Sequence, residues 1–134
     1  MTTKTGRCLC GDVTFEYSGT ENWRAYCHCE SCRRNTSSPV TAFLGVPRGN
    51  CRFTGTPAKI FESSPGVRRL FCGRCGSPMA FDADRYPDEI HLYAASLDDP
   101  AGYVPEVHVH SAERLPWFDV KDSLRRYPGS GSED

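Results

Sequence analysis

The sequence lacks long apolar runs and has almost no net charge, and each absence excludes a class of protein. No stretch is long and apolar enough to form a membrane-spanning helix, which needs about 20 apolar residues. Lys and Arg total 16 while Asp and Glu total 17, so the formal charge is −1. Because there is also no basic tract, nothing in the charge pattern favours binding to nucleic acid or to a membrane surface.

The N-terminal segment Met1–Cys8 also lacks the apolar run of a signal peptide. We therefore expect a cytoplasmic protein, in which thiols stay reduced. In that compartment the eight cysteines are expected to bind metal rather than to form disulfides.

The length of 134 residues fits one domain, and no internal repeat divides it. The hydrophobic fraction of 38% is modest, so bound metal is expected to supply part of the stability. We predict a single domain over residues 1–127, followed by a flexible Gly- and Ser-rich tail over residues 128–134.

Ten prolines and twelve glycines divide the sequence into short segments, which favours strands and turns over long helices. Several segments alternate apolar and polar residues or are continuously apolar, as β-strands are. The predicted strands are Val13–Tyr17, Val40–Val46, Cys51–Phe53, Lys59–Glu62, Val67–Phe71, Met79–Asp82, Ile90–Ala95 and Val107–His110. Helical turns are predicted only at Glu30–Asn35 and Val120–Arg126. The sequence therefore predicts a mainly β domain.

Seven of the eight cysteines fall into three clusters with metal-ligand spacing. The clusters are Cys8-Leu-Cys10-Gly11, Cys27-His-Cys29-Glu-Ser-Cys32 and Cys72-Gly-Arg-Cys75-Gly76. The last is a Cys-x-x-Cys-Gly knuckle, in which two sulfurs converge on one ion and the glycine relieves a tight turn. A closed tetrahedral site needs two more ligands, which the first cluster can supply. We predict a structural zinc ion held by Cys8, Cys10, Cys72 and Cys75.

The middle cluster offers three thiolates within six residues. Cys27, Cys29 and Cys32 can reach one ion, with Cys32 on a helical turn. If no fourth protein ligand arrives, the site keeps an open position, which is the usual arrangement of a catalytic zinc ion. The sequence thus predicts two zinc ions per chain and makes this trio the candidate catalytic residues.

Other interpretations of the cysteines stay open at this stage. The clusters could form disulfides, or Cys27 or Cys29 could act as a redox switch. The middle cluster could also hold a second structural zinc ion, completed by His28, by a distant histidine or by Cys51. Cys51 lies outside every cluster and is otherwise expected to be a packed core thiol.

Residues around the clusters also carry a family pattern. The pattern consists of Gly6-Arg-Cys8-Leu-Cys10-Gly11-Asp-Val13-Thr-Phe15, Cys27-His28-Cys29-x-x-Cys32-Arg33-Arg34, Arg69-Leu-Phe71-Cys72-Gly-Arg-Cys75-Gly76 and the segment His108–Trp117. It resembles the glutathione-dependent formaldehyde-activating enzyme family, which includes centromere protein V.

This resemblance implies a single-domain beta-tent fold, made of several small coiled antiparallel sheets with zinc knuckles. It implies a structural zinc ion on the two outer clusters and a labile catalytic zinc ion on the middle one. The implied activity is that of a carbon–sulfur lyase, which reversibly condenses glutathione or another thiol with formaldehyde or a small aldehyde. The implied partners are therefore a small thiol and a small aldehyde. The relation to centromere protein V suggests nucleic-acid binding as a further alternative, but the near-zero net charge and the lack of a basic tract predict no nucleic-acid and no membrane partner. The alternative is a zinc-stabilised binding module without catalysis.

Proton transfer to the developing alkoxide needs a donor, for which the candidates are histidines. His28 lies between two ligands, and His108 and His110 alternate on one predicted strand, so they are expected to share a side-chain direction.

Other polar and aromatic residues near the motifs have two interpretations each. The arginines are expected either to bind glutathione carboxylates or to offset the thiolate charge; they are Arg33, Arg34, Arg68 and Arg69. The aromatic residues are expected to pack in the core rather than to line a pocket; they are Phe43, Phe81 and Trp117.

Overall fold

The computed structural model describes residues 2–131 and is mainly β, which confirms the predicted fold class. Contacts group residues 2–23 with 44–103 into one compact unit, and residues 24–43 with 104–131 into a second. Within the described part of the chain, no helix has the length and apolarity that a membrane span requires.

The elements are short, as the frequent glycines and prolines predict. The strands are β1 (Thr3–Arg7), β2 (Val13–Ser18), β3 (Trp23–Cys27), β4 (Thr41–Pro47), β5 (Cys51–Gly55), β6 (Lys59–Ser64), β7 (Val67–Phe71), β8 (Pro78–Ala83), β9 (Glu89–Tyr93), β10 (Val107–Val109) and β11 (Arg125–Arg126). The α-helix is α1 (Glu30–Thr36), and short 3₁₀ turns lie at Arg48–Asn50, Ala94–Ser96, Pro100–Gly102 and Ser111–Glu113.

In the first unit, β1, β2 and β5 form an antiparallel sheet with β2 in the centre. Val13, Phe15 and Tyr17 on β2 are all buried and alternate with half-buried residues. This confirms the predicted alternation, because successive side chains of a strand point to opposite faces. The loop between β1 and β2 carries the first cysteine cluster.

The first unit also contains an antiparallel meander in the order β9-β8-β7-β6. The hairpin between β7 and β8 carries the knuckle that runs from Cys72 to Gly76. Gly76 has φ = 82°, a left-handed conformation that costs a glycine little and other residues more. Cys72 and Cys75 therefore lie on the turn that joins β7 to β8.

In the second unit, β10 pairs with both β3 and β11, and both pairings are parallel. Val109 lies opposite Cys27, so β10 runs beside the strand that leads into the middle cysteine cluster. Helix α1 begins three residues beyond Cys27, close to the predicted helical turn. These parallel pairs differ from the antiparallel sheets that the family resemblance implies.

The helical turn predicted at Val120–Arg126 is wrong, since Arg125 and Arg126 form β11. The Asp122 carboxylate accepts a hydrogen bond from the backbone N–H of Leu124, at 3.0 Å. A side chain that bonds the backbone two residues ahead offers an alternative to the helical pattern and favours a turn.

The predicted tail over residues 128–134 falls partly outside the described residues, which end at residue 131. At its start, the carbonyl of Gly129 accepts a hydrogen bond from the backbone N–H of His110, at 2.7 Å.

Gly45 on β4 provides a test of packing in the first unit. A Cβ atom at Gly45 would lie 2.5 Å from Nε1 of Trp23, and that indole N–H is held by Glu89 at 3.0 Å. We expect Gly45→Ala to lower the free energy of unfolding by about 1–3 kcal/mol, measured by urea denaturation, because the ring has to shift. Gly49→Ala is the matched control, since a Cβ there meets no atom within 4 Å. Equal urea midpoints for the two variants would contradict the close packing of Trp23 against Gly45.

Candidate metal centres

Four cysteines converge in the first unit from two separate hairpin loops. Cys8 and Cys10 come from the β1–β2 loop, and Cys72 and Cys75 from the β7–β8 loop. Their sulfur atoms all lie within 4.8 Å of one another, with separations of 3.7 Å for Cys8–Cys10 and for Cys10–Cys72. A tetrahedral zinc ion with Zn–S bonds of about 2.3 Å places its sulfurs about 3.8 Å apart. The four thiols can therefore hold one metal ion, and we call them the four-cysteine group.

Backbone N–H groups point at these sulfurs, as expected for a metal knuckle. Cys8 Sγ accepts from the N–H of Val13 at 3.3 Å, and Cys72 Sγ accepts from Arg74 and Cys75 at 3.4 Å each. Such hydrogen bonds stabilise the thiolate form, which is the form that binds metal.

Ser77 links the two loops of this group. Its hydroxyl accepts a hydrogen bond from the N–H of Leu9 at 3.0 Å and lies 3.2 Å from Cys75 Sγ. The hydrogen bond from Ser77 lowers the pKa of Cys75 to about 5, with backbone N–H groups adding to the effect. Cys75 therefore ionises readily at neutral pH.

The middle cluster also converges, and it lies entirely in the second unit. Cys27 ends β3, Cys29 is the N-cap of α1, and Cys32 lies within the helix. The three sulfur atoms lie within 4.8 Å of one another, with Cys27 and Cys32 separated by 3.9 Å. Across residues 2–131, no histidine, cysteine or carboxylate joins them as a fourth ligand. We call this trio the three-cysteine group.

The neighbouring thiols lower the pKa of Cys29 in the three-cysteine group. Hydrogen bonds from Cys27 and Cys32 lower the pKa of Cys29, and the N–H of Cys32 at 3.3 Å adds to this. Sharing those protons raises the pKa of Cys27. A cation that binds here displaces the shared protons, so its affinity increases with pH.

The structure bears on the other interpretations of the cysteines. All eight cysteines are free, and the sulfur separations of 3.7–3.9 Å far exceed a disulfide bond of about 2.05 Å. Cys51 belongs to neither group and is half-buried rather than fully buried, and burial raises its pKa to about 11.

Behind the three-cysteine group, two buried imidazoles are joined by a hydrogen bond. His28 Nε2 lies 2.8 Å from His108 Nδ1, and His108 Nε2 lies 2.9 Å from a carboxylate oxygen of Asp122. Burial lowers the pKa of His28, and the neighbouring His108 lowers it further. The hydrogen bond from His108 lowers the pKa of Asp122 to about 2.

Sequence reasoning missed Asp122. The available signal was its spacing of four residues from Arg126, with which it forms an ion pair at 2.9 Å. That spacing also fits a helix, and the helical interpretation of the segment concealed the contact with His108.

The prediction that His108 and His110 share one strand is wrong. Strand β10 ends at Val109, and His110 takes a left-handed conformation with φ = 54°. His110 is instead held by Glu113 at 3.3 Å, with its side chain 31% exposed. His110 directly follows Val109, which lies opposite Cys27 of the three-cysteine group.

The four candidate arginines all have partners within their own units. Arg33 donates to the carbonyls of His28 and Glu113, and Arg34 pairs with Glu30 at 2.8 Å. In the first unit, Arg68 pairs with Asp82 and Asp84, while Arg69 is buried and lies 5.1 Å from the ring centre of Phe81. These contacts favour a structural role over the binding of glutathione carboxylates.

Of the three candidate aromatic residues, Phe43 and Phe81 are buried as predicted. Trp117 is 71% exposed, so its predicted place in the core is wrong.

We expect the two kinds of cysteine to respond differently to substitution. Cys72→Ser should abolish cooperative folding, because metal binding at a closed site contributes on the order of 10 kcal/mol to stability. Cys51→Ser should fold with wild-type metal content, since Cys51 belongs to neither group. Circular dichroism together with elemental analysis checks both variants. A folded Cys72→Ser protein with one metal ion per chain fewer than the wild type would show that the four-cysteine group is not structural.

Metal removal should be stepwise. Three ligands hold an ion less firmly than four, and the three-cysteine group leaves a position for a competing chelator. A mild chelator should therefore remove one ion per chain first, while the far-ultraviolet circular dichroism stays unchanged. If the dichroism signal were lost together with the first ion, the ion removed first would be a structural one, and the assignment of the labile ion to the three-cysteine group would be wrong.

Two known proteins are similar in sequence to this chain. An uncharacterized lyase of Schizosaccharomyces pombe is 33% identical over 76 residues, which is 57% of this chain and 55% of that protein. The match thus spans little more than half of that relative. A Halomonas elongata protein, provisionally named a glutathione-dependent formaldehyde-activating enzyme, is 26% identical over 126 residues, covering 87% of this chain and 80% of that one.

A solved structure supports the fold alone. The crystal structure of a Rhodobacter sphaeroides protein superposes with a TM-score of 0.61 at 22% identity, and the match covers 75% of this chain and 97% of that one.

The sequence profile of one family matches most of the chain. The family is described as glutathione-dependent formaldehyde-activating enzyme, and the match runs over residues 3–113. That range contains all the cysteines of the four-cysteine and three-cysteine groups. The chain therefore belongs to the glutathione-dependent formaldehyde-activating enzyme family.

Proposed function

We propose that the protein is a zinc-dependent carbon–sulfur lyase that reversibly joins a small thiol to a small aldehyde. The observation that carries the proposal is the difference between the two groups: one has four converging thiols, the other only three with no fourth ligand among residues 2–131. A closed site is suited to structure and an open one to chemistry. The names of the family and of its relatives favour glutathione as the thiol and formaldehyde as the aldehyde.

In this proposal one cysteine group has a structural role and the other a catalytic role. Cys8, Cys10, Cys72 and Cys75 hold a structural zinc ion, and Cys27, Cys29 and Cys32 hold the catalytic one. When bound, the catalytic ion supplies Lewis acidity that keeps a cosubstrate thiol deprotonated at neutral pH. The three thiolates of the group place much negative charge there and weaken that acidity. Positioning of thiol and aldehyde therefore contributes more than polarisation of the carbonyl.

The reaction balances without an oxidant or a reductant. The thiol sulfur attacks the aldehyde carbon, so that a carbon–sulfur bond forms while the carbonyl double bond opens. The thiol proton ends on the former carbonyl oxygen, which gives a hydroxymethyl thioether-type adduct. The reverse reaction breaks the same carbon–sulfur bond and releases aldehyde and thiol, which makes the enzyme a lyase.

His110 is the side chain we assign to carry the proton. Both ring nitrogens of His108 are occupied by His28 and Asp122, so His108 has none for a substrate. His110 is part-exposed, has Nδ1 3.3 Å from Glu113, and directly follows Val109, which lies opposite Cys27 in the strand pairing. A histidine with access to solvent can accept the thiol proton and return it to the oxygen.

The test has to allow for the uncatalysed reaction, since thiols and formaldehyde combine without an enzyme. We expect the protein to accelerate exchange between free and adduct formaldehyde, measured by NMR magnetisation transfer in the presence of glutathione. Cys29→Ser should abolish the acceleration while the protein stays folded, because it removes a ligand of the three-cysteine group only. Cys51→Ser is the matched control and should exchange at the wild-type rate.

Equal exchange rates for buffer, wild type and Cys29→Ser would rule out glutathione and formaldehyde as the substrates. Other small thiols and aldehydes then have to be tested in the same way. If no thiol displaced or contacted the labile metal ion, the protein would be a zinc-stabilised binding module instead.

A further inference from the structure

A buried hydrogen-bonded chain leads from the three-cysteine group to Asp122. His28 lies in sequence between Cys27 and Cys29, and it is only 5% exposed. Its ring stacks on the ring of His108, and the two ring centres lie 5.0 Å apart. His108 is 1% exposed. Two polar rings in so buried a place are costly unless every nitrogen in the chain has a partner.

The carboxylate at the end of the chain sets the direction of its hydrogen bonds. Asp122 can only accept, so Nε2 of His108 carries the hydrogen and donates to it, at 2.9 Å. In the tautomer with its hydrogen on Nε2, His108 accepts at Nδ1 a hydrogen bond from Nε2–H of His28, at 2.8 Å. Asp122 thus fixes the ring orientation of His108, and His108 fixes that of His28.

Asp122 is itself held in place. It accepts from the N–H of Leu124 at 3.0 Å and from Arg126 at 2.9 Å. Arg126 also donates to the carbonyls of Val120 and Leu124, at 2.7 Å each. The Asp122 end of the hydrogen-bonded chain is therefore held in place by neighbouring residues of the same loop.

The backbone of His28 is held as well as its side chain. Its N–H donates to the carbonyl of Val109 at 3.1 Å, beyond the last parallel pair between β10 and β3. A residue fixed at both backbone and side chain limits the positions of its neighbours on either side. Those neighbours are Cys27 and Cys29, two of the three thiols of the group.

We propose that the His28–His108–Asp122 chain is a positioning device that sets the spacing of the Cys27 and Cys29 sulfurs. It thereby sets the metal affinity of the three-cysteine group, and none of the three residues touches the substrates. A group with only three thiols depends on such positioning more than one with four, because each ligand supplies a larger share of the affinity. The proposal rests on the proposed function only in requiring that this group holds a metal ion.

The test uses the full chain and Cd²⁺, which is followed through its thiolate-to-metal charge-transfer absorption. His108→Phe keeps an aromatic ring and removes both nitrogens. We expect it to weaken Cd²⁺ binding at the three-cysteine group roughly ten- to a hundred-fold. The zinc ion of the four-cysteine group, measured by elemental analysis, should stay bound.

The Asp122 end of the chain gives a graded comparison. Asp122→Leu removes every acceptor and should weaken Cd²⁺ binding as His108→Phe does. Asp122→Asn keeps one acceptor oxygen, so it should recover part of the affinity. A residue with a purely general role in stability would not show this order.

Two controls separate positioning from loss of stability. Asp119→Leu removes an exposed carboxylate from the same loop region and should leave Cd²⁺ affinity unchanged. His91→Phe removes a buried imidazole from the first unit and should change the urea midpoint without changing Cd²⁺ affinity.

Wild-type Cd²⁺ affinity in His108→Phe, or equal loss from both cysteine groups, would overturn the proposal. If His108→Phe does not fold, the Asp122 series decides, and equal affinities for Asp122→Leu and Asp122→Asn would then overturn it. Failure of the proposed function has a different signature, since wild-type protein would then bind Cd²⁺ normally without accelerating thiol–aldehyde exchange.

Discussion

Thiolates held within a few ångströms of one another repel, and this repulsion is the constraint on which the rest of the structure depends. In both groups the sulfur atoms lie within 4.8 Å of one another. Neighbouring thiols with no cation have to share protons, which is why the pKa of Cys29 falls while that of Cys27 rises. A divalent cation removes the repulsion and makes the close approach favourable. The fold must therefore deliver thiols to one point and also support their negative charge.

The two groups meet this requirement by different means. The four-cysteine group takes two thiols from each of two antiparallel hairpins, and backbone N–H groups of Val13, Arg74 and Cys75 point at its sulfurs. The three-cysteine group takes all its thiols from one stretch of chain at the end of β3 and the start of α1. Cys29 Sγ accepts a hydrogen bond from the N–H of Cys32, and the imidazole of His28, which lies between Cys27 and Cys29 in sequence, is hydrogen-bonded to His108. The two groups thus differ in ligand number and in how the fold supports them, and this difference is the basis of the closed and open sites that we propose.

Structural elements that depend on a local sequence pattern could be predicted from the sequence. The alternation in Val13–Tyr17 predicted β2, and the spacing of the middle cysteines predicted a helical turn at Cys32. The predictions failed where a side chain competes with the backbone or where a residue lies outside an element. Asp122 replaces the helix predicted at Val120–Arg126 with a turn, and the left-handed conformation of His110 takes it off the strand of His108. Trp117, predicted to be buried, is exposed because an apolar residue type does not by itself bring a segment into the core.

By itself the sequence determined which cysteines act together within each cluster, because a separation of two or three residues keeps two sulfurs within reach of one ion in almost any fold. Counting ligands then paired the outer clusters, although Cys10 and Cys72 are separated by 62 positions. Only the tertiary structure decided that His28 meets His108, 80 positions away, and that Asp122 completes the chain behind them. Such contacts depend on the parallel register of β10 beside β3, and the pairing of distant strands leaves no periodicity or spacing in the sequence from which it could be predicted.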